Sequence, residues 1–371
     1  MTGYLRPFGL LIGAELLIDS QYYPHISAPA TWVERDLYIR AALPERRQYG
    51  MASRMQTASA AQPQLISPRL LGPLRLARRI AAGIARRLET LERRIDPDVA
   101  RSSHREAVVH IMNEYNMVTK PDEPYYAQQY LHFILPMLER RFPHRGVTIL
   151  DLGCGQGRLS LPLAQWCARG GGTVTGVDLT SGAVVQAEQY ASAQAVHNVT
   201  FVNRDAVEFV REAPDSSADA IVFTEVTFFM PAYREALKDF KRLLKPGGVS
   251  FVAFRSQYYD LLQLASTHSW ENAKRCLAER EGNIYGGPLG FAWQTVEDIH
   301  RQLDDVGLRV LQLFGIGVLS GIECDARSAI IQPSRLSPQD QRGLMEVECA
   351  AAEKYAECGR YILTIAERKN G

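Results

Sequence analysis

The sequence predicts an α/β protein built around an open, mostly parallel β-sheet. Three observations support this fold class. A run of β-branched and apolar residues at 147–150 leads directly into an acid and a glycine-rich turn. The segment after that turn, residues 158–168, has the composition of a helix. Further short apolar runs then alternate with helical segments, and strands that alternate with helices form parallel sheets.

The first predicted strand ends in the pattern Asp-x-Gly-x-Gly-x-Gly, which starts at Asp151. Gly153, Gly155 and Gly157 let the backbone turn sharply and approach a ligand where a Cβ would collide. A strand-to-helix turn of this kind lies at the edge where open α/β sheets bind nucleotide-like ligands. The pattern differs from the G-x-G-x-x-G of dinucleotide-binding enzymes. Because an acid before the glycines repels a pyrophosphate, the turn predicts a ligand that carries an amino group.

Three further predicted strands each end in an acid at the same edge of the sheet. Asp178 lies 21 residues beyond Gly157, close to the roughly 20-residue spacing of an acid that hydrogen-bonds ribose hydroxyls. Asp205 is suited to accept a hydrogen bond from an exocyclic adenine amine, and Glu225 ends the next strand. A proline-glycine turn then leads into a fifth, apolar strand. The four strands are residues 172–178, 199–205, 219–225 and 243–254.

Five motifs follow one another along the chain: Asp-Leu-Gly-Cys-Gly-Gln-Gly at 151–157, Val-Asp at 177–178, Asn-Arg-Asp at 203–205, Leu-Lys-Pro-Gly-Gly at 244–248, and a late helix and strand at 293–310. Through these motifs, the chain resembles the class I S-adenosylmethionine-dependent methyltransferases over about residues 110–330. The resemblance implies a Rossmann-like, seven-stranded, mostly parallel sheet with helices on both faces and a helical N-terminal extension. Residues 359–366 are expected to form a final edge strand that pairs antiparallel within this sheet.

The resemblance implies that S-adenosylmethionine is the cofactor. Asp151 and the glycine turn would hold its methionine portion, Asp178 the ribose hydroxyls and Asp205 the adenine. Each acid alone has a simpler interpretation as a helix N-cap or turn residue, whereas the ordered set favours a ligand site. The predicted cofactor-binding residues are Asp151, Gly153, Cys154, Gly155, Gly157, Asp178, Leu179, Asp205, Ala206, Thr224 and Glu225.

Glu225, Tyr126 and Tyr130 are the predicted catalytic residues. Apolar neighbours at 228–230 favour a raised pKa for Glu225, which would suit proton abstraction. The same carboxylate would alternatively bind the amino group of the cofactor, and this second role is favoured. Tyr126 and Tyr130 lie four apart on a predicted helix at 126–140 and would face the sulfonium, since aromatic faces stabilise cations by roughly 0.5–2 kcal/mol. Alternatively, these rings only cover the sheet.

The chain divides into three predicted parts. Residues 1–65 are an irregular segment interrupted by prolines, and residues 66–140 form a helical extension and lid. Residues 141–371 form the cofactor-binding domain, with a pocket-forming insertion at about 256–292. Within the extension, residues 74–95 carry an apolar stripe opposite seven arginines. That stripe is expected to pack on the domain or to form a homodimer, and membrane contact is not expected because no aromatic anchor accompanies the arginines.

Composition limits the function further. A net charge of +1 gives no field that would recruit nucleic acid, so a small-molecule substrate is expected. Six cysteines and eight histidines lack metal-ligand spacing, so no metal is predicted, and a cytoplasmic location is expected. Two alternatives to methyl transfer remain. One is attack at another carbon of the sulfonium with release of methylthioadenosine, as in azetidine-2-carboxylate formation, and the other is a non-catalytic cofactor-binding module.

Overall fold

The computed structural model describes residues 97–143, 146–285 and 289–369, with side chains from residue 104 onward. In chain order the strands are β1 (Thr148–Leu152), β2 (Thr173–Asp178), β3 (Val199–Asn203), β4 (Ala218–Phe223), β5 (Leu244–Arg255), β6 (Glu281–Gly282), β7 (Phe291–Ala292), β8 (Leu308–Ile316) and β9 (Tyr361–Arg368). The α-helices are α1 (Pro97–Glu114), α2 (Glu123–Arg141), α3 (Ser160–Ala168), α4 (Ser181–Ala193), α5 (Ala206–Glu212), α6 (Tyr233–Leu243), α7 (Gln257–Ser266), α8 (Trp270–Ala278), α9 (Val296–Asp305) and α10 (Pro338–Ala351). Short 3-10 helices cover Ala326–Ala329, Pro333–Arg335 and Ala356–Cys358.

Seven strands form one sheet in the order β3-β2-β1-β4-β5-β9-β8. Strands β1 to β5 pair in parallel, and β9 pairs antiparallel with both β5 and β8. This confirms the predicted Rossmann-like, seven-stranded, mostly parallel sheet. The strand order reverses between β1 and β4, and ligands of open α/β sheets bind at such a switch point.

The prediction that the last strand lies at the edge of the sheet is wrong. β9 is inserted between β5 and β8 and forms hydrogen bonds with both. Its first six residues are buried, so both of its faces are covered. A strand that is buried on both faces has a nearly continuous apolar sequence, and the run at 361–366 fits this pattern better than it fits the alternation of an edge strand.

Helices cover both faces of the sheet because successive strand residues point to opposite sides. Ile149 packs into a core with α2, α3 and α4, whereas its neighbour Leu150 packs into a second core with α5, α6 and α9. Full burial of each large apolar side chain contributes about 1.5–3 kcal/mol. The two cores, one on each face of the sheet, hold the loops at the carboxyl ends of the strands in fixed positions.

Helix α2, predicted at 126–140, is held by a buried carboxylate on α10. Glu348 accepts hydrogen bonds from the Tyr125 hydroxyl at 2.7 Å and from Gln129 Nε2 at 2.5 Å. It also accepts from the amides of Leu319 and Ser320 at 2.7 and 2.8 Å. Hydrogen bonds to a charged group contribute about 1.5–3 kcal/mol each. This network therefore fixes the rotation of α2, which carries the two tyrosines predicted to be catalytic.

Helix α1 packs against loops at the ligand-binding edge of the sheet. His104 Nε2 donates to the Phe229 carbonyl at 2.5 Å, and the Gly290 amide donates to His104 Nδ1 at 3.3 Å. This position is compatible with the predicted lid, whose function stays a prediction. The insertion at 256–292 contains α7, α8 and the small sheet of β6 and β7.

The segment at 1–65 and the amphipathic helix predicted at 74–95 lie outside the described residues, so the dimer predicted through that helix stays a prediction. Where the structure describes the chain, it contains no helix with the length and hydropathy to span a bilayer.

Candidate active site

The turn between β1 and α3 requires glycine for steric reasons. Gly153, Gly155 and Gly157 have φ values of +70°, +53° and +83°, a left-handed region that costs a residue with a Cβ about 1–2 kcal/mol. A Cβ on Gly153 would lie 2.1 Å from Val226 Cγ2, and one on Gly157 would lie 3.1 Å from Phe201 Cζ. The turn is therefore packed tightly against the loop after β4 and against β3.

Backbone amides of this turn are hydrogen-bonded within the protein. The amides of Gly153 and Cys154 both donate to the Val177 carbonyl, at 2.7 and 3.1 Å. The Gly155 amide donates to Asp178 Oδ2 at 2.8 Å. Phosphate sites at strand-to-helix turns depend on amides that point at the ligand. Since these three amides are already bonded, the turn provides shape, and nearby carboxylates provide the polar groups for a ligand.

Two of the predicted acids have a structural role at their strand ends. Asp178 accepts from the Gly155 amide and, through Oδ1, from the Thr180 amide at 2.8 Å. Asp205 is the N-cap of α5 and accepts from two first-turn amides at 2.9 and 3.3 Å. Both bonds to Asp205 use Oδ1, so Oδ2 has capacity to accept from a ligand. The simpler interpretation as caps and turn residues is thus correct for both acids and is compatible with ligand binding.

Asp151 lies at the centre of this edge and is 2% exposed. Ser160 donates its hydroxyl proton to Asp151 Oδ2 at 2.5 Å. Burial raises the pKa of Asp151 to about 6, although the Ser160 hydrogen bond and the charge of Arg158 act in the opposite direction. A bound cation would lower the pKa again, because it stabilises the charged carboxylate.

Arg158, the first residue after the glycines, bridges two buried carboxylates. Its Nη2 lies 3.0 Å from Glu225 Oε1, and its Nη1 forms an ion pair with Glu123 at the start of α2. Tyr115 donates its hydroxyl proton to Glu123 at 2.6 Å. All three members of the bridge are buried. A single guanidinium therefore connects the glycine turn, α2 and the loop after β4.

The pKa of Glu225 is lowered, so the expectation of a raised pKa is wrong. Burial raises this pKa, but the charges of Arg158 and Arg360 together with hydrogen bonding outweigh burial. At Glu123 the balance is opposite, since burial raises the pKa by more than Arg158 lowers it. Glu225 also has a φ of +57°, a strained conformation of the kind found at functional sites. The structure thus presents an ionised carboxylate at the end of β4.

Tyr126 and Tyr130 are both fully buried and lie on one face of α2. The hydroxyl of Tyr126 pairs with Ser320 Oγ at 3.0 Å, whereas no partner for the Tyr130 hydroxyl is found among the described residues. The Arg158 guanidinium carbon lies 5.8 Å from the Tyr130 ring centroid, and that of Arg360 lies 5.0 Å from the Tyr126 ring centroid. Each ring therefore already contacts a cation of the protein, and contact with a sulfonium stays a prediction.

The remaining predicted residues also lie at this edge of the sheet. Cys154 is buried inside the turn. Leu179 follows Asp178, and its carbonyl accepts from Asn203 Nδ2 at 2.9 Å. Ala206 is the first residue of α5, and Thr224 is buried at the end of β4. The backbone thus collects the whole predicted set around the β1–β4 switch point.

Sequence reasoning missed several charged residues that the fold places beside this set. The position of Arg158 directly after the glycines was a signal for its role, but its partners are remote in sequence. Arg255 and Arg360 had no comparable signal, because they meet only through the pairing of β5 with β9. Arg360 is buried and Arg255 is mostly buried, and aromatic rings contact both guanidinium groups.

A family model described as a methyltransferase domain matches residues 149–248. Similar curated proteins include the ubiquinone biosynthesis O-methyltransferase of Caulobacter vibrioides, 29% identical over 174 residues that cover 42% of this chain and 67% of the relative. The enzyme of the same name from Coxiella burnetii is 31% identical over 125 residues, which cover 33% of this chain and 50% of the relative. The chain thus matches only half to two thirds of the length of these relatives.

Among solved structures, the chain is similar to magnesium protoporphyrin IX methyltransferase from Synechocystis PCC 6803 with bound SAH. That match has 17% identity and a TM-score of 0.43, and it covers 69% of this chain and 88% of the other. The [4+2]-cyclase SpnF has 22% identity and a TM-score of 0.42, with 64% and 80% covered.

Replacement of Gly153 by alanine tests the steric requirement of the turn. We expect Gly153→Ala to lower the free energy of unfolding by roughly 2–5 kcal/mol, because the contact with Val226 adds overpacking to the backbone cost. Gly247→Ala is the matched control, since Gly247 has a φ of +77° but no atom lies within 4 Å of the point that a Cβ would occupy. The Gly247→Ala variant should lose only about 1–2 kcal/mol of unfolding free energy. Equal losses of unfolding free energy for the two variants, measured by urea denaturation, would show that the turn does not require glycine at position 153 for steric reasons.

Proposed function

We propose that this chain, a class I S-adenosylmethionine-dependent methyltransferase by its matches, transfers the cofactor's methyl group to an oxygen of a small-molecule acceptor. Oxygen is supported by the curated relatives whose names specify O-methyltransferase activity. A small acceptor is supported by the net charge of +1, which provides no general attraction for a polyanion.

The observation that carries the proposal is the set of carboxylates around a glycine turn in which the amides of Gly153, Cys154 and Gly155 are already hydrogen-bonded. Asp151, Asp178 and Asp205 lie at the carboxyl ends of the first three strands, where they would hold the amino group, the ribose hydroxyls and the adenine of the cofactor. The cofactor supplies an electrophilic methyl group on a sulfonium. A ligand with an amine, hydroxyls and an exocyclic amine matches these acceptors, whereas a pyrophosphate does not.

The surroundings of Glu225, which follows β4, favour a role for this carboxylate in binding over a role in proton abstraction. Glu225 has a lowered pKa, and a carboxylate that is readily ionised is a weak base. Its charge instead stabilises a nearby cation, while Arg158 fixes its position at 3.0 Å. Tyr130 and Tyr361 are buried and lie close enough to Glu225 for its charge to raise their pKa values, so their rings keep water away from this carboxylate. In-line methyl transfer depends mainly on such positioning in a dry site.

Identification of the nucleoside product tests the proposed reaction. Purified protein is incubated with S-adenosylmethionine, with and without a small-molecule cell extract, and the products are measured by mass spectrometry. We expect S-adenosylhomocysteine to form only when extract is present, together with a methylated extract component. Methylthioadenosine that forms without an acceptor, above the rate in buffer, would contradict methyl transfer and favour intramolecular chemistry on the sulfonium.

Two variants connect this assay to the site. Asp178→Ala should raise the KM for the cofactor at least about tenfold, because a ribose acceptor and the anchor of the Gly155 amide are both lost. Asp215→Asn is the control, since Asp215 is an exposed acid paired with Arg242 on the surface. If cofactor binding in calorimetry is absent from the unmutated protein, the proposed function fails.

Cofactor affinity should depend on pH through Asp151. In the free protein its pKa is about 6, and bound amine requires the ionised form. The dissociation constant for S-adenosylhomocysteine should therefore be nearly constant above neutral pH and rise as pH falls through about 6, approaching tenfold per pH unit. Calorimetry between about pH 5 and pH 8 measures this dependence.

Ser160→Ala and Asp151→Asn serve as the matched variants for the pH experiment. Removal of the Ser160 hydroxyl should shift the pH at which the dissociation constant begins to rise to a higher value, because the Ser160 hydrogen bond lowers the pKa of Asp151. Asp151→Asn should weaken binding and flatten the profile. An unmutated profile that is flat down to about pH 5 would show that no ionised Asp151 is needed.

A further inference from the structure

A second buried polar cluster lies next to the cofactor residues, where β5 ends and β9 begins. Arg255 is the last residue of β5 and pairs in register with Tyr361, the first residue of β9. Arg360 immediately precedes Tyr361. Because the strands are antiparallel, both arginines lie at the ligand-binding edge of the sheet. Arg360 is 4% exposed, and the Arg255 side chain is 12% exposed.

Both arginines have hydrogen-bond donors that the rest of the described chain does not satisfy. Arg255 Nε lies 3.3 Å from Asp260 Oδ1, but Arg255 Nη1 has no acceptor among the described residues. Arg360 Nε lies 2.8 Å from Asp325 Oδ2 without the alignment of a hydrogen bond, and Arg360 Nη1 also lacks an acceptor there. A buried donor without a partner is unfavourable, because it has lost its hydrogen bonds to water and gained none in return. Guanidinium groups satisfy such donors best with a carboxylate, which accepts two parallel N–H bonds.

Two tyrosine rings hold the arginines around one point. The guanidinium carbon of Arg255 lies 4.4 Å from the Tyr259 ring centroid and 4.8 Å from that of Tyr361. The guanidinium carbon of Arg360 lies 5.8 Å and 5.5 Å from the same two centroids. Both groups therefore contact the same rings. Aromatic surfaces also exclude water, which strengthens charge recognition in the site.

The position of the cluster relative to the cofactor residues indicates which ligand it serves. Adjacent strands are about 4.8 Å apart, and β5 and β9 lie one and two strands beyond β4. Asp178 and Asp205 lie on the opposite side of β4, after β2 and β3. Glu225, at the end of β4, is close enough to Arg360 for that charge to lower its pKa. A ligand held by the arginines would therefore face the cofactor across Glu225.

We propose that Arg255 and Arg360 bind a carboxylate of the acceptor, so that the substrate of this enzyme is an organic acid. This inference rests on the proposed function for the identity of the transferred group. Two further polar atoms of the cluster, the Tyr259 hydroxyl and Asp260 Oδ2, also lack partners among the described residues. They would pair with a hydroxyl or amine on the same acid. The arginines thus select the substrate class and orient it, and Glu225 separates this site from the ribose and adenine residues.

A pair of isosteric probes tests the charge requirement without knowledge of the natural substrate. Full-length protein saturated with S-adenosylhomocysteine is titrated with sodium benzoate and, separately, with benzamide in calorimetry. The two probes share the aromatic ring, and only benzoate carries a carboxylate. We expect benzoate to bind at least about tenfold more tightly than benzamide. Equal affinities, or no binding of benzoate, would overturn the proposal.

Variants then locate the binding. Arg255→Gln should weaken benzoate at least about tenfold, and Arg255→Lys should retain part of the affinity because it keeps the charge but loses the paired donors. Arg309→Gln is the matched control, since Arg309 is an exposed arginine on β8 that pairs with Glu367. The control should bind benzoate like the unmutated protein.

The same titrations separate this inference from the proposed function. If Arg255→Gln weakens S-adenosylhomocysteine and leaves benzoate unchanged, the arginine serves the cofactor carboxylate and the inference is wrong. If the unmutated protein binds no S-adenosylhomocysteine, the proposed function fails, and benzoate titration of the protein alone still reports on the arginines.

Discussion

The bridge from Arg158 to Glu123 and Glu225 holds the candidate active site together. A buried ion costs several kcal/mol in lost hydration unless it is well paired, and Arg158 avoids that cost only when both carboxylates are in place. The three residues come from the turn that leads into α3, from the start of α2 and from the loop after β4. Correct packing of these three elements is therefore coupled to the charge balance of a single side chain, and the placement of the predicted cofactor-binding residues depends on that packing.

Around this bridge, the glycine turn sets the shape of the site and the acids supply its hydrogen-bond acceptors. The amides of Gly153, Cys154 and Gly155 are bonded to the Val177 carbonyl and to Asp178, which fixes the shape of the turn and favours recognition through carboxylates. Asp178 accepts a backbone amide at each of its oxygens, whereas Asp205 accepts through Oδ1 only and keeps Oδ2 for a ligand. The acids thus accept hydrogen bonds from donors of a ligand. On the other side of Glu225, Arg255 and Arg360 donate hydrogen bonds to acceptors of a ligand. The site would distinguish the two ligands by charge, because the acids attract the amine of the cofactor and the arginines attract the carboxylate of the acceptor.

Much of the fold, and the positions of the candidate cofactor-binding residues at strand ends, could be predicted from sequence because both depend on local patterns. The acids and glycines lie at strand ends, and the strands are apolar runs that local propensity identifies. The position of β9 could not be predicted in this way, because an edge strand and an inserted strand differ only in what covers them. The lowered pKa of Glu225 was missed for a related reason. Its sequence neighbours are apolar, but its pKa depends on Arg158 and Arg360, which only the tertiary structure brings near it.

The central claim is that this turn recognises a ligand through carboxylates and not through free amides. Calorimetric titration with S-adenosylhomocysteine and with ADP tests it most directly, because the two ligands share adenosine and differ in the group that faces the glycines. The structure predicts that S-adenosylhomocysteine binds at least about 100-fold more tightly than ADP, since Asp151 attracts an amine and repels a phosphate. Binding of ADP with equal or higher affinity would contradict the claim.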